Sequence, residues 1–76
     1  MTLAEQINNI FIYHRPSGNQ PERYEKIREA ARAFAHLIFE NCPESRERSV
    51  ALTNLQQTVM WANASIAINE NDTGLT

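Results

Sequence analysis

Cysteine is almost missing from this sequence: Cys42 stands alone, so no disulfide can form within the chain. Its two histidines, His14 and His36, show no regular metal-ligand spacing, and no structural zinc site is expected. A chain of 76 residues is left with a small core, because a domain of this size buries only roughly 60% of its unfolded surface. With disulfides and metals set aside, partner chains are the remaining source of stability. Glycine is scarce as well, at two residues, and there is no P-loop, no glycine-rich phosphate fingerprint and no HExxH. Positive charge is not in excess: the formal net charge is −2 and the pI near 5.6. That balance excludes a protein that coats DNA or RNA, though not a pocket with two or three local cations. No apolar run approaches the roughly 20 residues of a membrane span. The start, "MTLAEQINNIFIY", lacks the basic opening and apolar core of a signal peptide. The sequons at Asn63 and Asn71 carry no meaning without secretion. The expectation is a soluble, cytosolic chain with no cofactor.

What is present is helical patterning. From Pro21, apolar residues recur at Tyr24, Ile27, Ala31, Phe34 and Ile38, steps of three and four along one face. Pro21 suits a first helical position, Glu22 complements the dipole of the first turn, and Pro43 stops the helix at Cys42. Pro43 is then expected to open a second long helix. One of its faces carries Leu52, Leu55, Val59, Ala62 and Ile66, and another carries Val50, Asn54, Gln57, Trp61, Ala64 and Ile68. The first stripe suits the preceding helix. The second suits another chain, unless Trp61 covers the N-terminal segment. Leu3, Ile7, Ile10 and Phe11 predict a short leading helix. The fold class is therefore all-α: a short N-terminal helix, then an antiparallel hairpin of two long helices, assembling into a homo-oligomer. Residues 1–70 form a single helical domain, and residues 71–76 are expected to be a frayed tail.

The segment "YHRPSGNQPERY" sets aromatic and basic residues on both sides of an irregular loop. A linker needs only its proline, glycine and asparagine. Tyr24, Arg28 and Arg32 lie four residues apart beside the apolar face, Lys26 lies on another flank, and Tyr13, His14 and Arg15 come from across the loop. Aromatic faces stack on bases while cations neutralise phosphate, so this set can form a nucleotide site. The plainer alternative makes Tyr24 core and the arginines a solvated rim. "SRERS" at 45–49 likewise offers either a Ser45 cap with Arg46 and Arg48 meeting acids of a neighbour, or ordinary surface charge. Cys42 reads as a small buried apolar residue and His36 as a packed histidine. Nothing local orients either histidine toward Cys42, and Glu22, Glu25 and Glu29 alternate with cations as solvated pairs. There is no positive case for an enzyme.

Over most of its length the chain resembles a known family. The "YH.P" loop start, the "CP.SRE.S.ALT.L" junction and "MWANA.IA.NE" occur in order between Phe11 and Glu70. In this it is similar to the small phage anti-CBASS sponges that sequester cyclic oligonucleotides. The resemblance implies an all-α protomer in a compact homohexamer, without catalysis, acting in the cytoplasm of an infected bacterium. Cyclic dinucleotides such as cyclic GMP–AMP are bound intact between protomers, before a host-killing effector can bind them. By position, Tyr13 is the candidate stacking residue, with His14 and Arg15 beside it and Lys26 or Arg28 on the phosphate. Some members also bind cyclic trinucleotides through an arginine near the end of the last helix. Ile68 stands in its place here, which implies poor trinucleotide affinity. The competing readings are a structural or adaptor protein whose second stripe binds a partner helix, and a nuclease, which lacks any metal or base constellation.

Overall fold

The computed structural model describes residues 1–70, which form three helices and no strand: α1 (Leu3–Phe11), α2 (Gln20–Asn41) and α3 (Arg46–Asn69). The expected frayed tail over 71–76 lies outside the described residues. Each helix boundary has a local cause. Thr2 opens α1 with a capping box: its Oγ1 accepts from the Glu5 amide at 3.1 Å, and Glu5 Oε1 accepts from the Thr2 amide at 2.8 Å. Those bonds, the one from the Thr2 backbone foremost, hold the Glu5 carboxyl below its ordinary value. Pro21 lies in the first turn of α2. At its other end Cys42 is extended, at φ −118° and ψ 136°, as a residue before proline must be.

Pro43 does not open α3. Ser45 does, extended at the N-cap with its Oγ accepting from the Arg48 amide at 3.1 Å. Serine wins because it satisfies an orphan amide, which proline cannot do. The same hydroxyl donates to the Pro43 carbonyl at 3.0 Å and so ties cap to turn. Arg48 completes this junction by reaching back to α2. Its Nη1 lies 3.2 Å from the Cys42 carbonyl and 3.5 Å from that of Phe39, and its guanidinium carbon 5.0 Å from the centre of the Phe39 ring. A cation in the first turn of α3 is poorly placed for that helix's own dipole. Here it serves the C-terminal carbonyls of α2 instead. Arg48 therefore meets carbonyls and a ring of its own chain.

Helices α2 and α3 pack as the hairpin, and α1 touches them only slightly. The inner face of α3 is the first stripe as expected: Leu52, Leu55, Val59, Ala62 and Ile66 are all half-buried. On α2 the inner face is Tyr24, Ile27, Ala31, Ala35 and Ile38. Phe34 is thus corrected from the inward face to the outside, where it remains 53% exposed. Ala35 lies one turn beyond Ala31 on the same face, and Phe34 is rotated about 100° from that line.

No apolar side chain among the described residues is fully buried. The protomer is long and thin, 49 × 27 × 15 Å, with a radius of gyration of 16.0 Å, against about 11 Å for a compact chain of this length. The second stripe of α3 is open at Val50 and at Trp61, which is 75% exposed and does not cover the N-terminal segment. Only its end, Ala64 and Ile68, is half-buried. Cys42 and His36 are both exposed, contrary to their expected burial. Cys42 sits at the tip of a two-helix hairpin, and among the described residues of one chain no third layer covers either side chain.

Candidate functional site: a loop tied to the last turn of the hairpin

The irregular loop between α1 and α2 is held by polar bonds rather than by packing. Tyr13 follows Ile12, which leaves α1 in an extended conformation at φ −99° and ψ 159°. His14 then turns back, and its Nε2–H donates to the Asn9 carbonyl at 2.6 Å. A carbonyl only accepts, so the proton is on Nε2, and the ring satisfies one of the orphan carbonyls at the end of α1. The Asn9 side chain in turn donates to the Ile68 carbonyl at 2.9 Å. One end of the loop is thereby fastened to the last turn of α3.

The other end is fastened to the same turn. Gly18 supplies the positive φ of +57° that reverses the chain before α2. Gln20, the only buried residue among those described, bonds Ser17 twice: its Oε1 accepts from the Ser17 amide and its backbone amide donates to the Ser17 carbonyl, both at 3.0 Å. Its side-chain amide also donates to Glu70 Oε1 at 3.3 Å. Arg23 grips the same carboxylate with both terminal nitrogens, the Nη1 bond to Oε2 measuring 2.9 Å. Its Nε donates to Asn19 Oδ1 at 3.2 Å. Hydrogen bonds from Arg23 first, and then Gln20, hold the Glu70 carboxyl down to about 2, and Glu70 raises the Arg23 pKa in return.

The candidate ligand residues fall around this frame. Tyr13 is 83% exposed. Arg15 and Lys26 are exposed too, and neither they nor Tyr13 has a hydrogen-bond or ion-pair partner among the described residues. His14 is half-buried and engaged with Asn9. Arg28 is exposed but paired with Glu25 on its own helix. With Arg32 it lines a shallow groove of about 290 Å³ floored by Leu52, Leu55 and Val59, so the two arginines do share an edge. Tyr24 is half-buried on the inner face, as the plainer alternative had it. A larger cavity of about 790 Å³ opens between α1 and the end of α3, lined by Asn8, Asn9, Ile10, Ile12, Ile68 and Asn69 among others. Ile68 thus stands in a cavity walled by amide and aliphatic side chains together with Met1.

Sequence reasoning missed Arg23, Gln20 and Glu70. Glu70 had appeared only within a motif, and Arg23 is 47 residues from it, beyond any helical spacing rule. A family model for the Acb2/Tad1 hairpin domain matches residues 3–67. No curated protein and no solved structure matches the chain. The matched span takes in α1, the loop, α2 and nearly all of α3, so the chain belongs to the Acb2/Tad1 hairpin family, the anti-CBASS cyclic-oligonucleotide sponges, which are binding proteins rather than enzymes.

Proposed function

We propose that this protein binds cyclic dinucleotide second messengers such as cyclic GMP–AMP, holds them intact, and so keeps them from CBASS effectors in the cytoplasm of the infected bacterium. The observation that carries this reading, beyond family membership, is an 83% exposed tyrosine on a loop fastened at both ends. A flexible loop has to be ordered at the moment of binding, and an ordered one does not. Tyr13 stacks on a base, and Arg15 and His14 flank it. For the phosphate, Lys26 is favoured over Arg28, because Arg28 already has a carboxylate partner in Glu25. One narrow hairpin cannot enclose a flat ligand on both faces. The pocket is therefore shared between protomers of a homo-oligomer, a hexamer by family likeness, assembled through the open stripe of Val50 and Trp61. An aliphatic side chain at Ile68, where the family likeness leads one to expect an arginine, supports weak binding of cyclic trinucleotides.

Calorimetric titration with cyclic GMP–AMP, followed by chromatography of the recovered nucleotide, tests this reading. The expected outcome is tight binding at a fixed fraction of a ligand per chain, with the nucleotide unchanged. Tyr13→Ala removes one stack of about 1–3 kcal/mol, or roughly 5- to 150-fold in affinity. Absence of binding by every cyclic dinucleotide tried would favour the helical adaptor, for which the same open stripe is the supporting observation.

A further inference from the structure

Glu70 ties together parts of the chain that neither helix pattern nor family motif connects. Two anchors of the loop converge on one turn of α3. The first runs from His14 through Asn9 to the Ile68 carbonyl, and the second from Ser17 through Gln20 to the Glu70 carboxylate, where Arg23 joins it. Arg15 lies between His14 and Ser17, and Tyr13 lies between Asn9 and His14, next to the first anchor. Apolar packing does not fix this segment, since Ile12 and Tyr13 are 51% and 83% exposed. Glu70 also lies past residue 67, where the match to the family model ends.

We propose that Glu70 is a positioning residue for ligand binding: by gripping Arg23 and Gln20 it holds the α2 end of the loop in place, so that Tyr13 is presented already ordered. The proposal rests on the function given above. Glu70 touches no ligand in this scheme and acts through Gln20 and Ser17. Its carboxylate also occupies Arg23, which leaves Lys26 as the unpaired cation of that stretch of α2 for the phosphate.

The test uses the full chain and three proteins: wild type, Glu70→Ala, and the charge swap Arg23→Glu with Glu70→Arg. Amide hydrogen exchange without ligand reads the loop, and calorimetry with cyclic GMP–AMP reads binding. In Glu70→Ala the Ser17 amide is expected to exchange about tenfold faster while amides in the middle of α2 and α3 keep their protection. Affinity is expected to fall about fivefold, the cost of ordering the loop on binding. The swap restores the ion pair but gives the Gln20 side-chain amide no acceptor, because arginine only donates, so Ser17 exchange and affinity are expected to stay close to those of Glu70→Ala. Unchanged Ser17 exchange in Glu70→Ala overturns the proposal, as does unchanged affinity in a variant whose loop has loosened. Failure of the function itself appears elsewhere, as a wild-type protein that binds no cyclic dinucleotide. That result removes the ligand role of Glu70 along with the function, even where Ser17 still responds.

Discussion

The two ends of the hairpin are closed by different means. At the turn, every tie is short in sequence: Ser45 to Pro43 and Arg48, and Arg48 to Phe39 and Cys42, none spanning more than nine residues. At the open end the ties span 47 to 59 residues, from Asn9 to Ile68, Gln20 to Glu70 and Arg23 to Glu70. Neither end has an apolar core to rely on. The turn end can form as soon as its few residues meet, since its loop-closure cost is small, whereas the open end must wait for the whole hairpin. The candidate ligand loop sits at the end that forms last and is held by polar bonds alone. Such a region can be ordered in geometry and still be easily opened.

The largest expected effect comes from the surface that leaves the open end bare. Trp61 lies in the half of α3 nearer that end and is 75% exposed. If other copies cover it, Trp61→Glu sets a charge in the contact, at a cost of at least about 2 kcal/mol per interface. Sedimentation is then expected to show wild-type particles several times the 8.7 kDa protomer, and the variant close to that mass. Equal masses would mean that the stripe does not carry the assembly.

At the turn end the expected effect is smaller and purely on stability. Arg48→Ala removes a charged hydrogen bond to the Cys42 carbonyl and the contact with the Phe39 ring, together about 1–3 kcal/mol. Denaturant unfolding should show the loss, while calorimetry shows unchanged ligand affinity per folded chain. A fall in affinity instead would mean that the two ends are coupled along the hairpin.

The same contrast explains how much of the molecule was legible in the sequence. The extents of α1 and α2, the inner stripe of α3, the stop before Pro43 and the open second stripe all follow from spacing and backbone rules. Those rules act over one or two turns. They erred where two local rules competed, as when serine's capping bond took the start of α3 from Pro43. They erred also by one residue on α2, where Ala35 rather than Phe34 continues the line of Ala31. Burial of Cys42 and His36 was expected from residue type, which presumes a layer of protein that a bare hairpin does not have. The residues around the candidate ligand loop were legible as chemistry, aromatic beside basic. What holds them was not, because the pairing of Arg23 with Glu70 exists only once the two helices lie side by side.

Acid titration sharpens the comparison with the smallest effect on overall stability, because the Glu70 side chain keeps 42% of its exposure and water screens its pairing with Arg23. Glu70 is lowered in the folded chain from an ordinary 4.5 to about 2. A depressed carboxyl contributes stability that is fully present above the unfolded value and is lost as pH falls through the folded one. The stability that Glu70 contributes should therefore be intact at pH 5 and decline below 4.5, while its grip on Arg23 and Gln20 in the folded chain is half lost only near pH 2. The Glu5 carboxyl is lowered too, by its bonds with Thr2, and loosens the start of α1 in the same direction. The ties at the turn involve no carboxylate, since Ser45 and Arg48 bind carbonyls, an amide and a ring, although Glu44 and Glu47 lie beside them in sequence. Chemical shifts of Ser17 and Gln20 should follow Glu70 down to about pH 2 while those of the Arg48 guanidinium stay level. Movement at both ends together would show one cooperative unit, and the separate closing of the two ends would be wrong.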